Sequence, residues 1–148
     1  MDVTTYSLEE FTEEAKRFVA RVSPHSKNAV VVTLSGELGA GKTTFVQGVA
    51  KALGVGESVM SPTFVIEKIY KPERQKFQRL IHIDAYRIKS AQDLEVLGWK
   101  ELLADTGNII VLEWPERVEG AIPTDAIRIK FDIVDDGRII TIDGEEKD

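Results

Sequence analysis

Apolar residues recur along this chain in two rhythms, one of helices and one of buried strands. Leu8, Phe11, Ala15, Phe18, Val19 and Val22 are spaced to form one stripe of a helix. Ser7-Leu8-Glu9-Glu10 is a capping box at its start, with Ser7 as cap and Glu10 reaching back. Glu13, Glu14, Lys16 and Arg17 fall on the opposite face and are expected to be solvated. The apolar run 29–34 reads as a strand, as do the stretches 63–70, 79–84 and 108–114. A helix is expected over 42–53, stopping at Gly54. A second helical stretch over 90–103 is capped by Ser90-Ala91-Gln92-Asp93 and interrupted at Gly98. Near the end, runs at 126–134 and 138–142 flank Asp135-Asp136-Gly137, a hairpin signal.

Connection lengths turn these elements into a geometry. Eight residues, 71–78, separate the strands at 63–70 and 79–84. A parallel crossover needs a dozen or more, so these two should pair antiparallel. If 79–84 runs parallel to 29–34, the helical stretch 90–103 is a crossover and 108–114 is parallel too. Asp84 and Glu113 then arrive at one edge of the sheet. Ser61-Pro62-Thr63 begins at that edge, because an antiparallel strand starts where its parallel neighbours end. No linker, repeat or low-complexity segment divides the chain, so one domain is expected over residues 1–148.

The same edge receives the turn that follows 29–34. Gly36-Glu37-Leu38-Gly39-Ala40-Gly41-Lys42-Thr43 fits G-x-x-x-x-G-K-[ST] between a strand and a helix, the arrangement that holds a nucleotide triphosphate. Glycines let the backbone curl so that consecutive N–H groups point at phosphate oxygens, where a Cβ would clash. Lys42 supplies a mobile positive charge, and the Thr43 hydroxyl is a hard oxygen suited to Mg²⁺. No Asn-Lys-x-Asp follows, the pattern that reads guanine, so adenine, and with it ATP, is favoured.

Leu80-Ile81-His82-Ile83-Asp84 and Ile109-Ile110-Val111-Leu112-Glu113 each end an apolar run in a carboxylate, the Walker B form. The pattern leaves open which acid holds the metal and which positions water. Thr63, stiffened by Pro62, reads either as a sensor of the γ-phosphate or as a strand-entry threonine. Trp114 before Pro115 reads as a core lid rather than a binding residue, and His25 and His82 have no evident partner and receive no role. Lys68, Lys71, Arg74, Lys76 and Arg79 form a basic segment, read as a solvated hairpin tip, with partner or RNA contact as the second reading.

Composition narrows the classes. A formal net charge of −6 argues against tight unaided binding to nucleic acid. The absence of cysteine removes disulfides, thiol catalysis and Cys-type zinc sites. Neither a basic leader nor a bilayer-length apolar run is present, so a cytoplasmic protein without membrane contact is expected.

Taken in order, Gly36 to Thr44, Ser61-Pro62-Thr63-Phe64, His82-Ile83-Asp84-Ala85-Tyr86-Arg87 and Glu113-Trp114-Pro115-Glu116-Arg117 resemble the bacterial TsaE family of tRNA threonylcarbamoyladenosine synthesis. The phosphate loop is shared with many families, whereas the ordered set with Ser-Pro-Thr and Glu-Trp-Pro is far more specific. The resemblance runs to about Pro123. It implies an α/β, P-loop NTPase-like three-layer fold with a mixed, mostly parallel central sheet and a C-terminal antiparallel hairpin. It implies a P-loop ATPase, weak alone, that supports the TsaD–TsaB pair in modifying adenosine 37 of tRNA, with tRNA met indirectly through the complex. In that reading Glu37, Leu38, Gly39, Ala40, Gly41, Lys42, Thr43 and Thr44 bind the nucleotide, while Thr43 and Glu113 hold Mg²⁺. Lys42, Asp84 and Thr63 form the catalytic set, and Trp114 supports the site or an interface. Two other readings remain: a small-molecule phosphotransferase, disfavoured by the lack of an arginine lid, and a non-catalytic nucleotide-dependent binding module.

Overall fold

The computed structural model describes residues 2–24, 27–37, 41–56, 67–73 and 76–144. Its strands are β1 (Asp2–Thr5), β2 (Val30–Gly36), β3 (Glu67–Tyr70), β4 (Arg79–Asp84), β5 (Asn108–Glu113), β6 (Ile127–Val134) and β7 (Gly137–Asp143). Its helices are α1 (Leu8–Arg21), α2 (Lys42–Ala52), α3 (Gln92–Val96) and α4 (Trp99–Ala104). The strands form one sheet in the order β1-β7-β6-β2-β5-β4-β3. β6, β2, β5 and β4 are parallel neighbours, while β3, β7 and β1 pair antiparallel at the flanks. The antiparallel pairing of β3 with β4 is the one that the short connection dictates, and the β6–β7 hairpin turns through Asp135 and Asp136 as its sequence signals.

Helices cover both faces, and the strand sequences record how far that cover extends. Val32, Leu34, Leu80, Val111 and Ile129 pack under α1 and α2, with Phe11, Phe18, Phe45 and Phe131 in mutual ring contact. Val31, Ile81, Ile83, Ile110 and Leu112 pack on the other side against Leu94, Trp99, Val118 and Ile122. β5 is buried at every position, so its run is continuously apolar. β6 instead alternates buried Ile127, Ile129 and Phe131 with exposed Arg128 and Lys130, because only one of its faces is covered there.

Several expectations need correction. Leu8 lies outside the buried stripe of α1 and is 68 % exposed. Glu14 is buried on that helix rather than solvated, held by Arg17 at 2.7 Å. The Ser7 cap is present, with its Oγ accepting from the Glu10 N–H, but Glu10 reaches one residue further back, to the Tyr6 N–H at 2.7 Å. The stretch 90–103 is two helices, α3 and α4, meeting at the left-handed Gly98. No side chain caps α3; Asp93 instead accepts from the Lys89 N–H. The basic segment is not simply solvated, because Lys76 donates to the carbonyls of Val19 and Ala20 at the end of α1, and Arg79 pairs with Asp105 and Asn108. β1 had no counterpart among the expected elements. Among the described residues no helix is long and apolar enough to cross a membrane.

Candidate functional site

The C-terminal ends of β4 and β5 are level, and β2 runs two residues further, to Gly36. Leu34 pairs with Glu113, and Glu113 with Asp84. Side chains alternate across a strand, so Leu80, His82 and Asp84 share one face, as do Ile109, Val111 and Glu113. Leu80, Ile109 and Val111 belong to the core beneath α1 and α2, which places both acids on the side of the sheet where α2 begins.

Gly41 precedes α2 with φ 113°, a conformation L side chains rarely adopt. A Cβ there would sit 2.5 Å from the Phe11 ring, so both the backbone and the space behind it require glycine. No side chain caps α2, leaving its first-turn N–H groups as anion donors at the positive end of the helix. Lys42, the first residue of α2, is only 5 % exposed. Its ammonium donates to the Gly36 carbonyl and, at 3.3 Å, to that of Glu37. It also lies 4.0 Å above the Trp114 ring, a cation–π contact that burial strengthens. Burial holds the Lys42 pKa below its ordinary value, against the opposing pull of Glu113, Glu116 and Asp84.

The two acids are held differently. Asp84 caps a short 3₁₀ turn (Ala85–Arg87), its Oδ1 accepting from the Tyr86 N–H at 3.0 Å. Burial is the main reason its pKa is raised, with Glu113 adding to the effect and the Tyr86 N–H, His82 and Lys42 opposing it. Glu113 is buried, and its Oε2 lies 2.5 Å from Nε2 of a fully buried His82. His82 thus has a carboxylate partner that its sequence context did not reveal, which corrects the expectation that it stands without one. The missing signal was parity: once Asp84 and Glu113 are level, a residue two places before Asp84 faces Glu113 diagonally.

Trp114 takes φ 62° and ψ 55°, the one positive φ outside glycine among the described residues. An indole in that region is strained by roughly 1–2 kcal/mol. The turn directs the Trp114 N–H to the Leu34 carbonyl at 3.2 Å and its ring under Lys42. Tyr86 packs against the same indole at 5.1 Å, and Arg117 lies over Tyr86 at 5.4 Å. Trp114 thus packs against the core, as its place before Pro115 suggests, and its ring also lies against Lys42.

A cavity of about 290 Å³ opens beside the start of α2, lined by Tyr6, Leu8, Phe11, Gly41, Thr44 and Arg138 among others. It exists because β1 pairs with β7, bringing the N-terminal turn to the β6–β7 hairpin. Sequence reasoning assigned neither Tyr6 nor Arg138 to a site, since nothing in the sequence announces that pairing.

Thr43 and Thr44 stand in the first turn of α2, half-buried. Leu38, Gly39, Ala40 and the Thr63 segment lie outside the described residues. Among the described residues no three His, Cys, Asp or Glu side chains gather to hold a metal by themselves. Mg²⁺ takes one or two protein oxygens and completes its shell with phosphates and water. The hard oxygens of Thr43 and Glu113 fit such a shell.

The family model described as "Threonylcarbamoyl adenosine biosynthesis protein TsaE" matches residues 7–140. This chain belongs to the TsaE family. The tRNA threonylcarbamoyladenosine biosynthesis protein TsaE of Borreliella burgdorferi is 37 % identical over 115 residues, covering 77 % of this chain and 81 % of that one. The TsaE protein of Treponema pallidum is 40 % identical over 113 residues, covering 76 % and 80 %. Among solved structures, Bacillus subtilis YdiB superimposes with a TM-score of 0.73 at 32 % identity, covering 96 % of this chain and 83 % of that one. The TsaE match spans α1 to β7 and so includes every described element of the site except β1 and the start of its turn.

Proposed function

We propose that this chain is a Mg²⁺-dependent ATPase that supports the TsaD–TsaB pair in threonylcarbamoylation of adenosine 37 in tRNA. The observation that carries the reading is the convergence of a buried Lys42 at an uncapped helix start with two level strand-end acids, Asp84 and Glu113. The family relationship supplies the pathway. Lys42 would leave the Gly36 and Glu37 carbonyls for the β- and γ-phosphates, with Glu37, Leu38, Gly39, Ala40, Gly41, Thr43 and Thr44 completing the phosphate cradle. Trp114 keeps its ammonium at the sheet edge. Thr43 and Glu113 would hold Mg²⁺, which supplies charge neutralisation on the phosphate oxygens when bound.

Asp84 is half-buried beside that edge with a raised pKa, suited to orienting a water for attack on the γ-phosphorus. As the water oxygen bonds to the γ-phosphorus, that phosphorus parts from the oxygen bridging it to the β-phosphorus, the proton lost by the water passes to a phosphate oxygen, and ADP and phosphate leave. Thr63 would act with Asp84 and Lys42 at the γ-phosphate. The cavity walled by Tyr6, Leu8 and Arg138 adjoins Gly41 and Thr44 and offers a seat for the adenine.

Nucleotide titration of the wild type and Lys42→Ala tests the reading. ATP should bind in preference to GTP, and the substitution should weaken ATP by at least ~10-fold, the scale of a charge-assisted contact of about 1.5–3 kcal/mol. Equal affinity of both proteins for ATP would sink it. ATP turnover with and without TsaD–TsaB then separates a complex-coupled ATPase, which accelerates, from a passive nucleotide-dependent module, which does not.

A further inference from the structure

We infer that His82 is a positioning residue for Glu113, holding its carboxylate in the orientation that receives a divalent cation. The inference rests on the Mg²⁺ role proposed for Glu113 and extends it to a residue two places before Asp84.

The geometry is specific. His82 is fully buried in the middle of β4, and Glu113 is 3 % exposed at the end of β5. Their side chains meet at 2.5 Å, Nε2 to Oε2, across adjacent parallel strands. An ionised carboxylate can only accept, so the ring presents its Nε2–H. Nδ1 is buried with no partner, which suits a lone pair far better than a second N–H. One tautomer therefore satisfies the pair, and it aims a single fixed donor at Glu113.

A structural explanation is weaker than a positioning one. Among aliphatic neighbours such as Leu80 and Val111, a histidine and a glutamate side by side cost desolvation that two apolar residues would avoid. Such a pair contributes little to stability, so its evident use is directional. A carboxylate chain has several rotatable bonds, and a buried donor on one oxygen removes that freedom before a cation arrives. Outer partners of this kind typically change metal affinity by about 10–100-fold when removed.

The test uses the full chain, a non-hydrolysable ATP analogue and Mg²⁺, with binding followed by calorimetry. In the wild type, Mg²⁺ should tighten binding of the analogue with a measurable midpoint. His82→Leu should leave Mg²⁺-free analogue binding unchanged and raise the Mg²⁺ midpoint by ~10-fold or more. His82→Gln, whose amide nitrogen can occupy the place of Nε2, should recover most of that loss. His82→Asn, one methylene shorter, should not. The Gln and Asn pair keeps the comparison sound if the Leu variant does not fold, since both retain a polar side chain at the site.

A wild type that responds to Mg²⁺, with Leu and Asn variants responding at the same concentration, overturns the role of His82 alone. A wild type whose analogue affinity ignores Mg²⁺ overturns the metal reading beneath it. In that event, nitrogen-15 spectra of the imidazole still report whether Nε2–H is held by Glu113: the tautomer should be fixed in the wild type and released in Glu113→Ala.

Discussion

Asp84 and Lys42 each occupy a place that folding alone would not choose for a charge. Burial raises the one and lowers the other, and each partly offsets the cost of the other. For Asp84 the consequence has a definite sign. Its folded carboxyl holds a proton more tightly than the unfolded chain does, so stability falls as pH rises from the ordinary carboxylate range to the raised value. Above that window the penalty stays constant, and below it the penalty vanishes. Asp84→Asn removes the charge yet keeps an oxygen for the Tyr86 N–H. The variant should melt higher than the wild type at pH 7.5, with the gap closing as pH approaches 4, near an ordinary Asp. Thermal melts of both proteins across that range check it, and a gap that widens toward low pH would contradict the cause assigned. At this scale the sequence named Lys42, Asp84 and Glu113 because motif and strand-end position are written in it. It concealed His82, whose partner lies on a different strand and emerges only from register.

Elements were legible wherever one local rule decided them. The stripe of α1, the apolar run of β5 and the turn at Asp135 and Asp136 each follow from spacing or turn chemistry. β1 was not legible, because four mostly polar residues form a strand only through the edge that β7 offers. Leu8 misled in the same way, since periodicity assigns it to the stripe and only the placement of α1 leaves it at the rim of the cavity. The packing of α1 on α2 carries its own test. A Cβ at Gly48 would lie 2.7 Å from the Cβ of Ala15, so the helices approach there as closely as glycine allows. Alanine would favour the helix by about 0.8–1 kcal/mol. Overpacking a tight interface costs about 1–3 kcal/mol, so the clash should win. Gly48→Ala should therefore lower the melting temperature by about 2–4 °C per kcal/mol lost. A rise in melting temperature would show that the helices separate freely and that propensity governs this contact.

At the scale of the whole molecule, topology gathers the site and also suggests how its state could be read elsewhere. β3 runs antiparallel to β4, and its first residue, Glu67, pairs with Ile83 beside Asp84. The residue that opens β3 therefore lies next to the acids, and Ser61, Pro62, Thr63 and Phe64, which precede it in sequence, lie outside the described residues. A segment so joined can be ordered by a γ-phosphate and released after hydrolysis, as nucleotide switches are. The proposed hydrolysis needs another molecule on which to act, and a net charge of −6 favours protein partners over direct tRNA contact. The proposed consequence is that the ATP-bound form binds TsaD–TsaB more tightly than the ADP-bound form. A ligand shifts such an equilibrium only by its differential affinity for the two states, so the effect must appear in the binding constants. With a non-hydrolysable ATP analogue, affinity for TsaD–TsaB should exceed that with ADP by about 5–150-fold, the usual span of coupling between two sites. Thr63→Ala should narrow that ratio while leaving the ADP-bound value in place. Identical affinities with both nucleotides would mean that the segment before β3 does not report the γ-phosphate, and Thr63 would then serve only as the entry to a strand.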